Sequence, residues 1–170
     1  MRIVCKRLPA TKSTLSFLSP FMLKPHIQKY ITPFWKTYYG IYDLFSQIHS
    51  GGYRAYGVFE IDEYDNPTRF LGFQLCVLHD DGEVETHAFW DRKVSALQCV
   101  KLVKDVAIKD YASDGVQIQC FVAYILENHR AARLLVLNMG FRDCGQVPWY
   151  KRVVDGKPFH AIEYRLEIGA

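Results

Sequence analysis

Residues 116–141 read VQIQCFVAYILENHRAARLLVLNMGF, and the period of the apolar residues changes once along that run. From Val116 to Ile125 the second half is almost continuously apolar, as in a strand covered on both faces. Asn128 is a side chain suited to capping a helix start, and Ala131, Leu134, Leu135 and Met139 then recur at helical spacing. Gly140 supplies the left-handed residue at which helices stop, and Phe141 follows it. The run is therefore a strand, a helix and a glycine stop.

Working outward, Ala96, Cys99, Val100, Val103, Val106 and Ala107 make one apolar helix face that ends near Tyr111, with Lys101, Lys104, Asp105 and Lys109 opposite. Upstream lie three candidate strands, Tyr53 to Glu63, Phe70 to Leu78 and Val84 to Trp90. They are joined by Asn66-Pro67 and by His79-Asp80-Asp81-Gly82, turn chemistry that predicts an antiparallel meander. Val84 to Ile125 is thus a strand–helix–strand unit, whose two strands must be parallel if they are neighbours in one sheet. Met1 to Leu8 reads as a first strand, with a short helix after it. Thr32 as N-cap and Pro33 at the first helical position open a longer helix carrying Phe34, Tyr38, Ile41, Tyr42, Phe45 and Ile48 up to Gly51-Gly52. Trp149 to Val154 and Phe159 to Ile168 flank Asp155-Gly156 as a closing hairpin. The expectation is one α/β domain over residues 1–170, with a mixed, mostly antiparallel central sheet and helices on both faces.

Composition narrows the function. The 21 Lys and Arg against 18 Asp and Glu are scattered along the chain, which lacks the basic stripe of a nucleic-acid binder. No apolar run is long enough for a signal segment or a membrane span, so the expectation is a cytoplasmic protein with neither nucleic acid nor membrane as partner. Five widely spaced cysteines, mostly in apolar segments, read as reduced core residues, and no paired spacing suits a metal.

The stretch from Glu127 to Leu135, followed by Asn138-Met139-Gly140-Phe141 and Gly145, resembles the Asn-containing helix and terminal Gly-Phe of the Gcn5-related N-acetyltransferase (GNAT) superfamily. The similarity covers about residues 53 to 168 in element order. It implies an acyl-CoA site, acetyl-CoA in the first instance, in the splay between the Val84–Trp90 and Val116–Ile125 strands. The pyrophosphate would lie on the following helix's N-terminus, where free amides and the helix dipole favour anions. The implied cofactor-binding residues are Phe89 and Trp90 at the strand end, Arg92, Lys93, Val94, Ser95, Ala96 and Leu97 in the loop, and Asn128 and Arg133 on the later helix. The family's loop carries glycines; this one has none, and Arg92 and Lys93 are the residues that would compensate electrostatically.

Acyl transfer to an amine needs a general base, an oxyanion donor and an acid for the departing thiolate. Glu85 and His87 lie two apart on one strand face, and either could deprotonate the amine directly or through water; Glu85 has the more usual family position. The family's acid is a Tyr four residues before the helix-ending glycine, where this chain has Val136, and Tyr124 is the candidate substitute.

The losses of glycine and tyrosine also fit a second reading, a non-catalytic GNAT-like binding or structural module similar to small bacteriophage virion or assembly proteins. The aromatic segment 30–45 would then dock a protein partner or a second copy, whereas in an enzyme it would wall the pocket for an amine acceptor or pack the core.

Overall fold

A computed structural model describes residues 2–31, 34–91 and 95–169, with the side chains of Phe34 and Tyr38 also outside the description. The chain runs β1 (Arg2–Arg7), α1 (Lys12–Met22), α2 (Pro25–Gln28), a 3-10 turn (Phe34–Lys36), α3 (Tyr38–Ser50), β2 (Arg54–Ile61) and β3 (Pro67–Leu78). It continues through β4 (Glu83–Trp90), α4 (Ala96–Ser113), β5 (Cys120–Leu126), α5 (Arg130–Asn138), β6 (Arg142–Val154) and β7 (Lys157–Glu167). The strands form one seven-stranded sheet in the order β1-β2-β3-β4-β5-β7-β6. Among the described residues only β4 and β5 pair in parallel, and α4 is the crossover between them.

The apolar stripes read from the sequence decide which helix covers which face, because each buried aliphatic side chain is worth about 1.5–3 kcal/mol. Cys99, Val103, Ala107 and Tyr111 of α4 pack on Tyr56, Val58, Val84 and Phe121. On the other face Leu18, Phe21, Met22, Ile41, Leu44 and Ile48 pack on Ala55, Phe73, Leu75 and Phe89. Side chains alternate along β4, so Val84 faces α4 while Phe89 faces the N-terminal helices.

Several local expectations are corrected. The long N-terminal helix starts at Tyr38, because Thr37 Oγ1 accepts the Gly40 amide at 3.0 Å and takes the capping position; Thr32 and Pro33 lie outside the described residues. Tyr42, expected in the buried stripe, is 59% exposed, since the face that packs inward runs through Ile41, Leu44 and Ile48. β5 begins four residues later than expected, because Val116 and Gln119 spend their amides on the Tyr111 and Gly82 carbonyls. In α5 the cap is His129 rather than Asn128, and Ala131 and Leu134 are exposed while Val136 is buried. β6 starts at Arg142, well ahead of the expected Trp149, and bulges twice against β7. The cysteines are all free, and Cys144 is exposed. No described helix is long and apolar enough to cross a membrane.

Candidate functional site

β4 and β5 pair only at Glu83 with Cys120, Val84 with Phe121 and Glu85 with Val122. At the fork Thr86 Oγ1 donates to the Val122 carbonyl at 3.3 Å. Beyond it β4 stays on β3 as far as Gly72 opposite Trp90, and β5 stays on β7 as far as Leu126 opposite Ala161. The two strands therefore part, and a cleft of about 930 Å³ opens between them.

Three buried polar atoms on the cleft wall have no hydrogen-bond partner among the described residues: Asn128 Oδ1, Trp90 Nε1 and Gln74 Oε1. A buried donor or acceptor left unmade costs about 1–3 kcal/mol, so such atoms mark a place where a ligand's polar groups can bind. Gln74 was not singled out from the sequence. A lone polar residue inside the apolar run of β3 was the available signal.

The N-terminus of α4 borders this cleft at Ala96. Ser95 caps the helix, its Oγ accepting the Gln98 amide at 3.5 Å, and the first turn carries no acidic side chain. Ser95 and Leu97 are not on the cleft wall, and Arg92, Lys93 and Val94 lie outside the described residues. Phe89, Trp90, Ala96 and Asn128 do line it, joined by Lys104 of α4 and Arg130 of α5. Arg133 is placed elsewhere: its Nε donates to Tyr164 Oη at 2.9 Å and its Nη1 to the Glu127 carbonyl at 3.0 Å.

On the other side of β4, the Glu85 carboxylate is held between two imidazoles, His87 Nε2 on Oε1 and His79 Nε2 on Oε2, each at 3.0 Å. The His87 hydrogen bond holds Glu85 below the usual carboxylate range, against burial, which would raise it; the His87 and His79 charges and the His79 hydrogen bond add to the lowering. Glu85 is thus an ionised acceptor whose two oxygens are already engaged, and it is not on the cleft wall. His87 is on that wall, with Trp35 edge-on at 5.7 Å. With its Nε2 hydrogen given to Glu85, His87 has Nδ1 as the nitrogen able to take a proton.

Tyr124 also lines the cleft, packed against Trp149 and Tyr150 at 5.6 and 5.9 Å. Burial first, then the charges of Glu163, Glu85 and Glu83, push its phenol up, so it stays protonated. Val136, buried in α5, also lines the wall.

A strap from α2 closes one end. His26 Nε2 meets the Trp90 carbonyl at 3.1 Å, and Lys24 pairs with Asp91 at 2.9 Å. Tyr30 stacks on His129 at 3.7 Å. Burial holds His129 below the usual imidazole range, so the ring caps α5 as a neutral group, Nδ1 accepting the Ala132 amide at 3.4 Å. Among the described residues no group of His, Cys, Asp and Glu is arranged to hold a metal ion.

No protein-family model matches the sequence, and no curated protein matches it. Solved structures do. The spermidine N-acetyltransferase of Vibrio cholerae, in complex with CoA and spermine, superposes with a TM-score of 0.75 at 14% identity, over 97% of this chain and 95% of that one. The Salmonella typhimurium acetyltransferase that modifies the N-terminal serine of ribosomal protein L7/L12 gives 0.73 at 14% identity, over 99% and 100%. The microcin C7 self-immunity acetyltransferase MccE, bound to acetyl-CoA and AMP, gives 0.72 at 13% identity, over 97% and 93%. The architecture of this chain, mixed sheet, crossover and splayed strands together, is the fold of the GNAT acetyltransferases.

Proposed function

We propose that the chain is an acyl-CoA-dependent N-acyltransferase that moves an acetyl group from acetyl-CoA to an amine by direct attack. The observation that carries this is the splay of β4 from β5 with Asn128 Oδ1 and Trp90 Nε1 buried and unpartnered on its wall. Those atoms are one acceptor and one donor, which suits the amide groups of a pantetheine arm. The α4 N-terminus, Lys104 and Arg130 supply the positive end that phosphates need. The similar folds that bind CoA, spermine or AMP lend the same reading a precedent.

Acetyl-CoA supplies an activated thioester; the chain's residues supply orientation and proton transfer. His87 accepts the amine's proton at Nδ1, and Glu85 fixes the ring and stabilises the imidazolium that forms. Glu85, the residue in the usual family position, thus acts through His87. Tyr124 has the O–H on the cleft wall that can protonate the leaving thiolate, a weak requirement because a thiol is itself a fair acid.

Calorimetric titration with acetyl-CoA and with CoA tests the reading. Saturable micromolar binding is expected. No binding at millimolar ligand would overturn it and leave a non-catalytic module.

A further inference from the structure

The two sides of the cleft differ in charge. Lys104 and Arg130 stand on the α4–α5 side, matched to an anionic ligand. The α2 side is walled by Ile27, Tyr30, Ile31, Trp35, His87 and Phe89, and its lysine, Lys29, is paired with Asp155 at 2.9 Å. Trp35 is 8% exposed and sets its ring edge-on to both His87 and Phe89, at 5.7 and 6.1 Å. Among the described residues the cleft wall carries one carboxylate, Asp91, and Lys24 at 2.9 Å and Arg69 at 3.8 Å neutralise it. Glu85 is turned to its two histidines, and Asp43, whose charge is felt at Tyr53, is not on the wall.

This charge pattern selects among amines. An ammonium placed against such a wall loses its hydration and meets no unpaired carboxylate, since Glu83 and Glu163, whose charges reach Tyr124, are both paired with Arg165. A polyamine keeps at least one ammonium after its reacting nitrogen is deprotonated. A monoamine on an aromatic or aliphatic body surrenders its only charge to His87, and the body gains from burial against Trp35 and Tyr30.

Resting on the acyltransferase reading above, we propose that the acceptor is a primary amine on an aromatic or apolar body, with no second positive charge. The neutral nitrogen attacks the thioester carbonyl carbon, the N–C bond forms and the C–S bond breaks. The ammonium's first proton has by then passed to His87; the second N–H proton, lost as the amide forms, reaches the sulfur by way of Tyr124, so CoA leaves as the thiol and the product is an N-acetylated amine.

The test measures thiol release from acetyl-CoA with 2-phenylethylamine and with spermidine as acceptors, on the unaltered protein. In parallel, tryptophan fluorescence of the CoA-bound protein reports amine binding, since Trp35 and Trp90 both line the cleft. The expected result is kcat/KM at least about tenfold higher for phenylethylamine than for spermidine, with fluorescence affinities in the same order. Equal or better use of spermidine overturns the proposal, and so does failure of phenylethylamine to bind a protein that does bind CoA. If CoA itself does not bind, the acyltransferase reading falls, and the acceptor assignment with it.

Discussion

Glu85 Oε1 stands 3.0 Å from His87 Nε2, two residues along the same strand face, and His79 Nε2 holds the carboxylate's other oxygen at the same distance. Only His87 of the three reaches the cleft wall. A carboxylate that orients and charges a neighbouring imidazole differs kinetically from one that takes the proton itself. His87→Ala is therefore expected to lower kcat at least about a hundredfold with CoA affinity retained. Glu85→Gln keeps an oxygen able to accept from His87, so its loss is expected to be smaller, about tenfold. His79→Ala should fall below both. Steady-state kinetics on the three variants checks the order; a Glu85→Gln loss as large as that of His87→Ala would make the carboxylate the base.

Asn128 gives a prediction in which binding and stability separate. Its Oδ1 is buried without a partner among the described residues, and the α5 cap that it was expected to provide comes from His129. Asn128→Ala removes no hydrogen bond of that oxygen with the protein, so the melting temperature should hold. Affinity for acetyl-CoA should fall about tenfold, the loss of one buried hydrogen bond to ligand. Calorimetry and thermal melts on the same preparation check both halves, and an unchanged affinity would remove Asn128 from the site.

The element order and the parallel crossover were legible in the sequence because they rest on periodicity, which burial enforces residue by residue. The splay was legible only through resemblance. The clamping of Glu85 between two imidazoles was not legible, since it depends on His79 arriving from the β3–β4 turn, a contact of side chains six residues apart across a bend. The strap from α2 escaped for the same reason: Tyr30 meets His129 across most of the chain, and no local pattern encodes that. Asn128 and His129 both suit a cap, and their tie is broken by which one is buried under Tyr30.

Asp110, near the C-terminal end of α4, sits where the helix dipole disfavours a carboxylate. Its oxygens are held by Tyr56 Oη at 2.7 Å, Arg54 Nη1 at 2.9 Å and Arg7 Nη1 at 3.3 Å. Burial alone would raise its pKa, but the Tyr56 and Arg54 hydrogen bonds with the two guanidinium charges bring it below the usual 3.8. A depressed folded-state value means that the unfolded chain binds the proton more readily, so this stability is present above the ordinary carboxylate value and is lost as pH falls through the folded one. Glu85 contributes in the same direction. Urea unfolding should show stability falling between about pH 5 and pH 3. Asp110→Asn should cost about 1–3 kcal/mol at neutral pH, the range for partly buried hydrogen bonds, and flatten the acid slope. An unchanged slope would place the acid sensitivity elsewhere.

Gly72 links the fold to the cleft. It lies at a bulge in β3 with φ of 143°, opposite Trp90, where β4 leaves for the site. A Cβ built there would come 2.2 Å from the Phe89 carbonyl oxygen and 2.9 Å from the Trp90 Cα, both backbone atoms that cannot swing aside. Any side chain must therefore push the tip of β4 away from β3, carrying Phe89 and Trp90 with it. Gly72→Ala is expected to destabilise the protein by more than about 2 kcal/mol, from combined left-handed strain and overlap. Because Trp90 Nε1 is one of the unpartnered atoms on the wall, acetyl-CoA affinity should fall in the same variant at temperatures where it remains folded. Gly115, also at positive φ but with open space around its Cα, is the control: Gly115→Ala should cost only the left-handed penalty of about 1–2 kcal/mol and leave affinity unchanged. Thermal melts and CoA titrations on the pair separate backbone strain at a loop from displacement of the site, and a Gly72→Ala protein that binds CoA normally would show that the tip of β4 is not part of the binding surface.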